Sequence, residues 1–283
     1  MKMQNALSVD VEDYFHVSAF ARRIKQADWE DYPLRVENNT RHLLDLFDEH
    51  QAKATFFVLG WVAERAKDLV KEIAQRGHEV ASHGYSHQLV YNQTADVFRE
   101  ETQRSKDLLE EIIQRPVVGY RAASYSITEK SRWALDILSE VGFEYDSSIF
   151  PVHHDRYGIP DSPRFPYQLE TPNGGRLVEF PLSTIELFNY RLPVAGGGYF
   201  RLYPYWLSKA GLKQINRQQK SFIFYLHPWE IDPQQPRIEA GWLSRFRHYN
   251  NLDRCAPRLR QLMKSFHFVT VVEVLKSQGL LGK

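Results

Sequence analysis

A repeated order of short apolar strand, polar tip and helix is the feature that most constrains the fold of this 283-residue chain. Residues 53–59 and 221–226 are typical of buried strands, and polar residues follow each of them. The same order recurs about seven times along the chain. Strands that alternate with helices in this way form parallel sheets, so we predict an α/β fold with helices outside the sheet.

Chemically reactive side chains stand where these predicted strands end. They are Asp10, Glu12, His83, His87, Arg121, Asp146 and His227. In a barrel of parallel strands, the C-terminal ends of the strands form the face where active sites lie. A solvated turn is the simpler interpretation of each motif alone, but their common position at one edge favours an active site.

The segment 81–87, Ala-Ser-His-Gly-Tyr-Ser-His, places two histidines four residues apart. On one helical turn this spacing would point both imidazoles the same way, about 6 Å apart. Two imidazoles and one carboxylate make a metal site with open coordination positions. Asp10, Glu12 and Asp13 supply carboxylates, and the first two share one face if their strand continues.

These residue types together predict metal-assisted hydrolysis of an amide or ester. A divalent ion would acidify water and polarise a substrate carbonyl. Asp10 is the candidate that accepts the proton from water, and His227 is the candidate that protonates a leaving amine. Arg121 is suited to hold a carboxylate in a bidentate pair, although a structural ion pair is the simpler interpretation.

Composition argues against several other classes of protein. The chain has 36 basic and 35 acidic residues without a block of like charge, so nucleic acid is not an expected partner. The single cysteine, Cys255, cannot form an intrachain disulfide and fits a reducing compartment. No leader pattern and no apolar run of about 20 residues is present, so we expect a cytoplasmic protein without a transmembrane segment.

Five segments, taken in order, resemble the motifs of the polysaccharide deacetylases of carbohydrate esterase family 4, the NodB-homology proteins. The segments are residues 8–15, 82–87, 119–124, 145–148 and 225–228. Residues 196–201 and 244–249 are similar to a subfamily encoded with exopolysaccharide loci in bacteria that use exosortase sorting. The resemblance covers nearly the whole chain. It implies one NodB-homology domain over residues 1–283, with a C-terminal subfamily extension from about 190 to 283.

The resemblance implies a distorted (β/α)7 barrel that removes N-acetyl groups from the amino sugars of a bacterial exopolysaccharide or its precursor. The implied cofactor is one divalent ion, Zn²⁺ or a substitute such as Co²⁺, and the implied partner is an acetylated amino-sugar glycan. His83 and His87 would be metal ligands, Asp10 the general base and His227 the general acid.

The resemblance also implies supporting roles for other residues. Arg121 would hold Asp10, and Asp146 would support His227. The backbone N–H near Ser124, with Tyr125 beside it, would stabilise an oxyanion in the substrate site.

Two positions depart from the family pattern. Val11 separates Asp10 from Glu12, where the commonest first motif has adjacent aspartates; a variant with this spacing favours Glu12 as metal ligand and leaves Asp13 open. Ala123 and Ser124 stand where the third motif usually has Pro and Tyr, which predicts a reshaped wall of the sugar site. The alternatives are a metal-free amidase on the same barrel and a non-catalytic glycan-binding protein.

Overall fold

The structure is a computed structural model that describes residues 3–154, 157–188 and 190–282. The strands of the described residues are β1 (Gln4–Val11), β2 (Thr55–Val58), β3 (Glu79–Ser82), β4 (Gly119–Tyr120), β5 (Tyr145–Asp146), β6 (Tyr167–Glu170), β7 (Arg176–Glu179), β8 (Thr184–Leu187), β9 (Tyr190–Pro193), β10 (Ile223–Leu226) and β11 (His267–Val269). The α-helices are α1 (Val36–Glu49), α2 (Gly60–Arg65), α3 (Lys67–Gln75), α4 (Ala95–Ile113), α5 (Trp133–Val141), α6 (Gly197–Leu202), α7 (Tyr205–Arg217), α8 (Trp242–Tyr249), α9 (Leu252–Ser265) and α10 (Val271–Ser277).

Nine strands form one sheet, in the order β10, β1, β2, β3, β4, β5, β7 and β6, with β11 also paired to β1. Every ladder in this sheet is parallel except the one between β6 and β7. The predicted parallel α/β architecture is therefore confirmed. The barrel is distorted between β7 and β10, which share no ladder within the described residues. At this place Ser183 Oγ accepts a hydrogen bond from Ile223 N at 2.8 Å.

Side chains of the central strands alternate between two hydrophobic clusters, as a period of two requires. In β10, Phe224 and Leu226 join the larger cluster that includes the helices, whereas Ile223 and Tyr225 join a smaller one with residues such as Phe57. In β1 the same alternation puts Ala6 in the smaller cluster and places Ser8 and Asp10 on that face. The inner face of the sheet therefore leads from an apolar interior to a polar end.

Three parts of the second half do not follow the repeated order of strand and helix predicted from the sequence. Residues 151–172 contain β6, which pairs with β7 in an antiparallel ladder. The hairpin of β8 and β9 was not predicted, because its exposed apolar residues, including Phe188 and Tyr190, hide the usual alternation. Three consecutive glycines, residues 196–198, stand at the start of α6. There Gly196 has φ 123° and lies so close to β10 that a Cβ atom would come within 2.0 Å of the Tyr225 carbonyl oxygen.

None of the helices in the described ranges is long and apolar enough to cross a bilayer.

Candidate active site

The C-terminal ends of the parallel strands carry the predicted site residues. Asp10 is the last residue but one of β1, and Glu12 is the first residue after this strand. His83 follows β3, Arg121 follows β4 and His227 follows β10. Because β10, β1, β2, β3 and β4 are neighbours in the sheet, these ends meet on one side of the molecule.

Glu12, His83 and His87 form a compact cluster whose potential ligand atoms all lie within 4.8 Å of one another. The two imidazole centroids are 5.4 Å apart, and Glu12 Oε2 lies 2.6 Å from His87 Nε2. The histidines converge as predicted, but they do so from a loop rather than from a helical turn. Gly84 at φ 74° and His87 at φ 53° bend this loop so that both rings face the carboxylate.

The chemistry of this cluster fits a divalent ion such as Zn²⁺. His83 Nδ1 lies 2.8 Å from the Arg121 carbonyl oxygen, to which it donates, so Nε2 is left with its lone pair for an ion. Burial lowers the pKa of His83 to about 4, which keeps the ring neutral as a metal ligand must be. Buried Glu12 Oε2 faces His87 Nε2 at 2.6 Å and has no further hydrogen-bond partner among the described residues, so it is available to a cation.

The charge on Glu12 is stabilised by its neighbours. Burial by itself raises the pKa of this carboxyl, but electrostatic interactions with His87 and His227 and a hydrogen bond with His87 outweigh burial and hold the pKa well below its usual range. Trp229 Nε1 donates to Glu12 Oε1 at 3.3 Å. One oxygen of the carboxylate is therefore oriented by the indole, and the other faces the two histidines.

Asp13, the other candidate carboxylate ligand, does not join the cluster, and this part of the prediction is corrected. Its Oδ2 accepts hydrogen bonds from the backbone N–H groups of Arg35 at 2.6 Å and Val36 at 2.8 Å, at the start of α1. Its Oδ1 accepts from Tyr14 N at 2.9 Å. Asp13 therefore satisfies backbone donors at a helix N-terminus instead of joining Glu12 in the cluster. Burial raises its pKa to about 6 although these hydrogen bonds oppose the shift.

Asp10 and Arg121 form a buried ion pair, with 2.6 Å between Oδ1 and Nη1. The pair has one contact rather than the bidentate geometry considered from the sequence, because the other guanidinium nitrogens bind the carbonyl and hydroxyl oxygens of Ser147. The second Asp10 oxygen, Oδ2, accepts from the Tyr125 hydroxyl at 3.4 Å and lies 3.9 Å from His227 Nε2. Arg121 thus fixes one oxygen of Asp10 and leaves the other facing the site.

His227 is held by Glu230 rather than by Asp146. Nδ1 of His227 donates to Glu230 Oε1 at 2.8 Å, and Arg201 Nε donates to Glu230 Oε2 at 2.5 Å. Burial alone would lower the pKa of His227, but the carboxylates of Glu12, Glu230 and Asp10 raise it to about 9. Nε2 of His227, 3.5 Å from Glu12 Oε1, is therefore the nitrogen that faces the site.

The predicted contact between Asp146 and His227 is thus wrong. Asp146 ends β5, which lies between β4 and β7, whereas His227 follows β10 on the other side of β1. The Ser148 hydroxyl donates to Asp146 Oδ1 at 2.5 Å and accepts from Ala122 N at 2.8 Å. Asp146 therefore supports the loop after β4. Burial raises its pKa to about 6 against the hydrogen bonds it receives.

Ser124 and Tyr125 lie in that loop, both in the left-handed region of backbone space at φ 50° and 56°. The Ser124 hydroxyl lies 2.6 Å from the Ser18 hydroxyl, and Tyr125 N donates to the Ala122 carbonyl at 3.1 Å. Only the side chain of Tyr125 reaches the proposed reacting groups, through its contact with Asp10. The role of the loop in binding an oxyanion stays a prediction.

Sequence reasoning missed four residues that shape the site. Glu230 had a local signal, since it stands three residues after His227 and closes a capping box with it. Trp229, between them, had none that linked it to Glu12. Arg201 lies 29 residues before Glu230, and no local pattern connects them. His16 packs against Trp29 and Trp61 at centroid distances of 4.3 and 5.0 Å, and its buried Nε2 has no partner among the described residues.

Comparison with known families agrees with this geometry. The sequence profile of the family described as polysaccharide deacetylase matches residues 28–145, which include His83, His87 and Arg121. The profile of a domain of unknown function (DUF3473) matches residues 147–276, which include Arg201, His227 and Glu230. The fold is similar to that of NodB-type deacetylases. Residues 28–145 belong to the polysaccharide deacetylase family, and residues 147–276 belong to the DUF3473 family.

Curated relatives match only parts of the chain. A peptidoglycan deacetylase of Helicobacter pylori is 33% identical over 113 residues, which are 40% of this chain and 37% of the relative. A chitooligosaccharide deacetylase of Rhizobium leguminosarum is 28% identical over 114 residues, 40% of this chain and 49% of the relative. The chain thus spans less than half the length of either relative.

Solved structures share the fold over almost the whole chain. A candidate polysaccharide deacetylase from Mycobacterium smegmatis has a TM-score of 0.65 at 21% identity and covers 100% of this chain and 93% of its own. A pseudoenzyme of carbohydrate esterase family 4 from Bacillus anthracis has a TM-score of 0.50 at 14% identity and covers 97% of this chain and 66% of its own. At these identities the likeness establishes the fold alone.

Proposed function

We propose that this protein is a metal-dependent deacetylase that removes N-acetyl groups from the amino sugars of a bacterial exopolysaccharide or its precursor. The observation that carries the proposal is the meeting of three parts at one edge of the sheet. These parts are the cluster of Glu12, His83 and His87, the Asp10–Arg121 pair and the His227–Glu230 pair. The likeness to a peptidoglycan deacetylase and to a chitooligosaccharide deacetylase supports an acetylated amino sugar as substrate.

The residues of the chain divide the proton transfers between them. A divalent ion held by Glu12, His83 and His87, Zn²⁺ by preference, would supply Lewis acidity for water and for the acetamide carbonyl. Asp10 accepts the proton of the attacking water at Oδ2, because Oδ1 is committed to Arg121. His227 donates a proton from Nε2 to the leaving nitrogen when the C–N bond breaks. Acetate and a free amino sugar result.

A metal-free amidase and a glycan-binding protein, the two alternative functions, explain fewer features of the site. A metal-free amidase gives no reason for two buried imidazoles and a buried carboxylate to bring their potential ligand atoms within 4.8 Å of one another. A glycan-binding protein has no need of a buried base paired with arginine or of a histidine paired with glutamate. The buried ion pairs of Asp10 and Glu230 are costly to build, and catalysis gives a reason for them.

We also propose that residues 1–283 work as one NodB-homology domain with a C-terminal extension from about residue 190. Pairing of β10 and β11, near the end of the chain, with β1 at its start supports this proposal. Cys255 is buried and is the single cysteine, which supports a reducing, cytoplasmic location.

Acetate release tests the proposed function. Purified protein loaded with Zn²⁺ would be incubated with N-acetylglucosamine oligomers of one to five units, acetylated exopolysaccharides and peptidoglycan fragments, with His227→Ala as the control variant. We expect release by the wild-type protein from at least one of these substrates and a fall of roughly 10²–10⁴-fold in the variant with its metal retained. Equal release by the two proteins would refute the proposed acid.

A further inference from the structure

Exposed apolar side chains are concentrated in one part of the chain. Thirteen large hydrophobic residues are exposed in the part that the structure describes, and ten of them lie between residues 187 and 246. Single exposed residues of this kind are ordinary, but a cluster marks a surface that contacts a partner. Four of the ten belong to the hairpin of β8 and β9. The other six, which we call the outer apolar surface, are Leu202, Trp206, Leu207, Trp242, Leu243 and Phe246.

The apolar stripe of α8 points away from the protein. Phe246 lies one turn after Trp242 and Leu243, so the three side chains share one face of the helix. They are 48%, 78% and 43% exposed, whereas His248 is the residue of this helix that is buried. A surface helix normally turns its apolar stripe to the core. Packing within the protein therefore does not explain this stripe, and a partner outside the protein would.

The outer apolar surface is continuous from α6 to α8. The guanidinium of Arg201 on α6 donates hydrogen bonds to carbonyl oxygens at the C-terminal end of α8, at 2.8 to 3.0 Å. Leu202 and Phe246 consequently border the same cavity between the two helices. Trp206 and Leu207 stand in the first turn of α7, directly after α6. Side chains from three helices thus contribute to one exposed region.

The charge of this region favours an anionic partner. The whole chain has a net charge of +1, but residues 187–229 contain six basic residues and no acidic one. Residues 240–252 contain two basic residues, Arg245 and Arg247, and again no acidic one. Both arginines are exposed, on either side of Phe246 in the sequence. Exposed tryptophans together with basic residues are typical of proteins that lie in the headgroup region of anionic membranes.

We propose that the outer apolar surface binds the headgroup region of an anionic lipid bilayer. The rings of Trp206, Trp242 and Phe246 enter the boundary between headgroups and acyl chains, and Arg245 and Arg247 pair with lipid phosphates. A second copy of the chain fits this surface less well, because a symmetric dimer would bring two positively charged regions together.

A bilayer in this position lies beside the candidate active site. Leu202 and Phe246 border the same cavity as Tyr225, whose ring centroid is 5.7 Å from that of His227. The membrane-bound protein would therefore present His227 to glycans that are held at the lipid surface. Binding to the bilayer itself does not rest on the proposed deacetylase function, so the two proposals fail separately.

Sedimentation with lipid vesicles tests the inference. Vesicles of phosphatidylcholine with roughly one third phosphatidylglycerol would be compared with vesicles of phosphatidylcholine alone. We expect the wild-type protein to bind the anionic vesicles roughly 10-fold or more tightly. Trp242→Ala with Phe246→Ala should weaken this binding by roughly 10-fold or more, because two rings no longer leave water. Arg245→Gln with Arg247→Gln should weaken it roughly 10- to 30-fold at low salt.

The matched controls are exposed residues outside this surface. Tyr91→Ala with Val97→Ala replaces two side chains that are 37% and 41% exposed, and Arg132→Gln replaces a 49% exposed arginine before α5. These variants should sediment with anionic vesicles as the wild-type protein does. No preference for anionic vesicles, or equal binding by all the variants, would overturn the inference.

Tryptophan fluorescence separates insertion from adsorption by charge alone. Trp206 and Trp242 are 68% and 78% exposed, and the other four tryptophans are buried or half-buried. Lipids with brominated acyl chains should quench the wild-type protein, and Trp206→Phe with Trp242→Phe should bind the vesicles without this quenching. Binding of the wild-type protein without quenching would contradict the proposed insertion. A dimer that Trp242→Ala with Phe246→Ala dissociates would assign the surface to a second copy and overturn the inference.

Discussion

Arg201 donates a hydrogen bond from Nε to Glu230 Oε2 at 2.5 Å, and both side chains are almost completely buried. The other nitrogens of Arg201 bind the carbonyl oxygens of Arg247, His248 and Asn250. Glu230, held in this way, accepts a hydrogen bond from Nδ1 of His227 through its other oxygen. The second half of the chain, matched by the DUF3473 profile, therefore contributes the candidate acid and its supporting residues.

Replacing Glu230 should impair the candidate acid without removing it. Glu230→Gln removes a negative charge that raises the pKa of His227, so this pKa should fall. Activity that needs protonated His227 is present below its pKa, and the alkaline limb of the pH–kcat profile should thus move to lower pH. We expect the loss in kcat to stay below the roughly 10²–10⁴-fold fall of His227→Ala.

The matched control for this experiment is Glu186→Gln, since Glu186 is 51% exposed and pairs with Arg164 and Arg191 rather than with a residue of the site. Its pH profile should overlay that of the wild-type protein. An alkaline limb that does not move in Glu230→Gln would show that Glu230 has no electrostatic effect on the acid.

Substitutions of the adjacent residues Glu12 and Asp13 should have different effects on zinc binding and on stability. Glu12→Ala removes a cluster ligand, so we expect Zn²⁺ affinity to fall by more than the roughly 10–100-fold typical of outer-shell changes. Asp13→Ala should keep its zinc and lose about 0.5–2 kcal/mol of unfolding free energy, because it accepts backbone N–H groups at the start of α1. Elemental analysis and urea unfolding measure the two effects. Zinc lost from Asp13→Ala and kept by Glu12→Ala would reverse the assignment.

Asp10→Asn should abolish turnover at every pH and keep the metal. The amide preserves the shape that Arg121 and Tyr125 contact, but it cannot accept a proton from water. Acetate release and zinc content would be measured on the same preparation. Substantial activity, or loss of zinc, would show that another carboxylate is the base.

The edge of the sheet at which the site lies could be predicted, because the C-terminal ends of parallel strands meet at one edge. Alternation along β1 places Asp10 on the same face as Ala6 and Ser8, but β1 ends at Val11, so the positions of Glu12 and Asp13 depend on the turn that follows it. The convergence of His83 and His87 also followed from their spacing. Their loop conformation did not, because it depends on positive φ angles at Gly84 and His87 that no periodicity shows.

Partners that come from distant segments could not be predicted. A carboxylate at a strand end does not reveal which neighbour it faces; sheet order decides this, and β5 is far from β10 in that order. Asp146, which the resemblance implies as the support of His227, is therefore not its partner; the partner in the structure is Glu230, three residues after His227 in a capping box. The role of Arg201 could be predicted only with knowledge of how α6 packs beside β10. This packing depends on the close approach of Gly196 to Tyr225.

A buried histidine away from the site should make stability depend on pH. Burial lowers the pKa of His78 to about 4, and its Nδ1 accepts from Ala54 N at 3.2 Å. The unfolded state therefore binds more protons between about pH 4 and 6.5, so this contribution is complete above 6.5 and is lost as the pH falls. His78→Gln should reduce the difference in unfolding free energy between pH 7 and pH 5 by about 2 kcal/mol.

The control is His42→Gln, because His42 is exposed on α1. Urea unfolding at the two pH values should give the same pH dependence for this variant as for the wild-type protein. An undiminished pH dependence in His78→Gln would mean that other buried groups account for it.

Zinc-dependent acetate release from N-acetylglucosamine pentamer tests the proposed metal-dependent deacetylase function most directly. Protein stripped with a chelator would be titrated with Zn²⁺, and acetate release would be recorded at each addition for the wild-type protein and for His83→Ala. We predict no release after chelation, full recovery of the wild-type protein at one equivalent of zinc and no recovery of the variant at that ratio. Release that survives complete removal of metal would contradict the assignment of Glu12, His83 and His87 as the centre of a metal-dependent deacetylase.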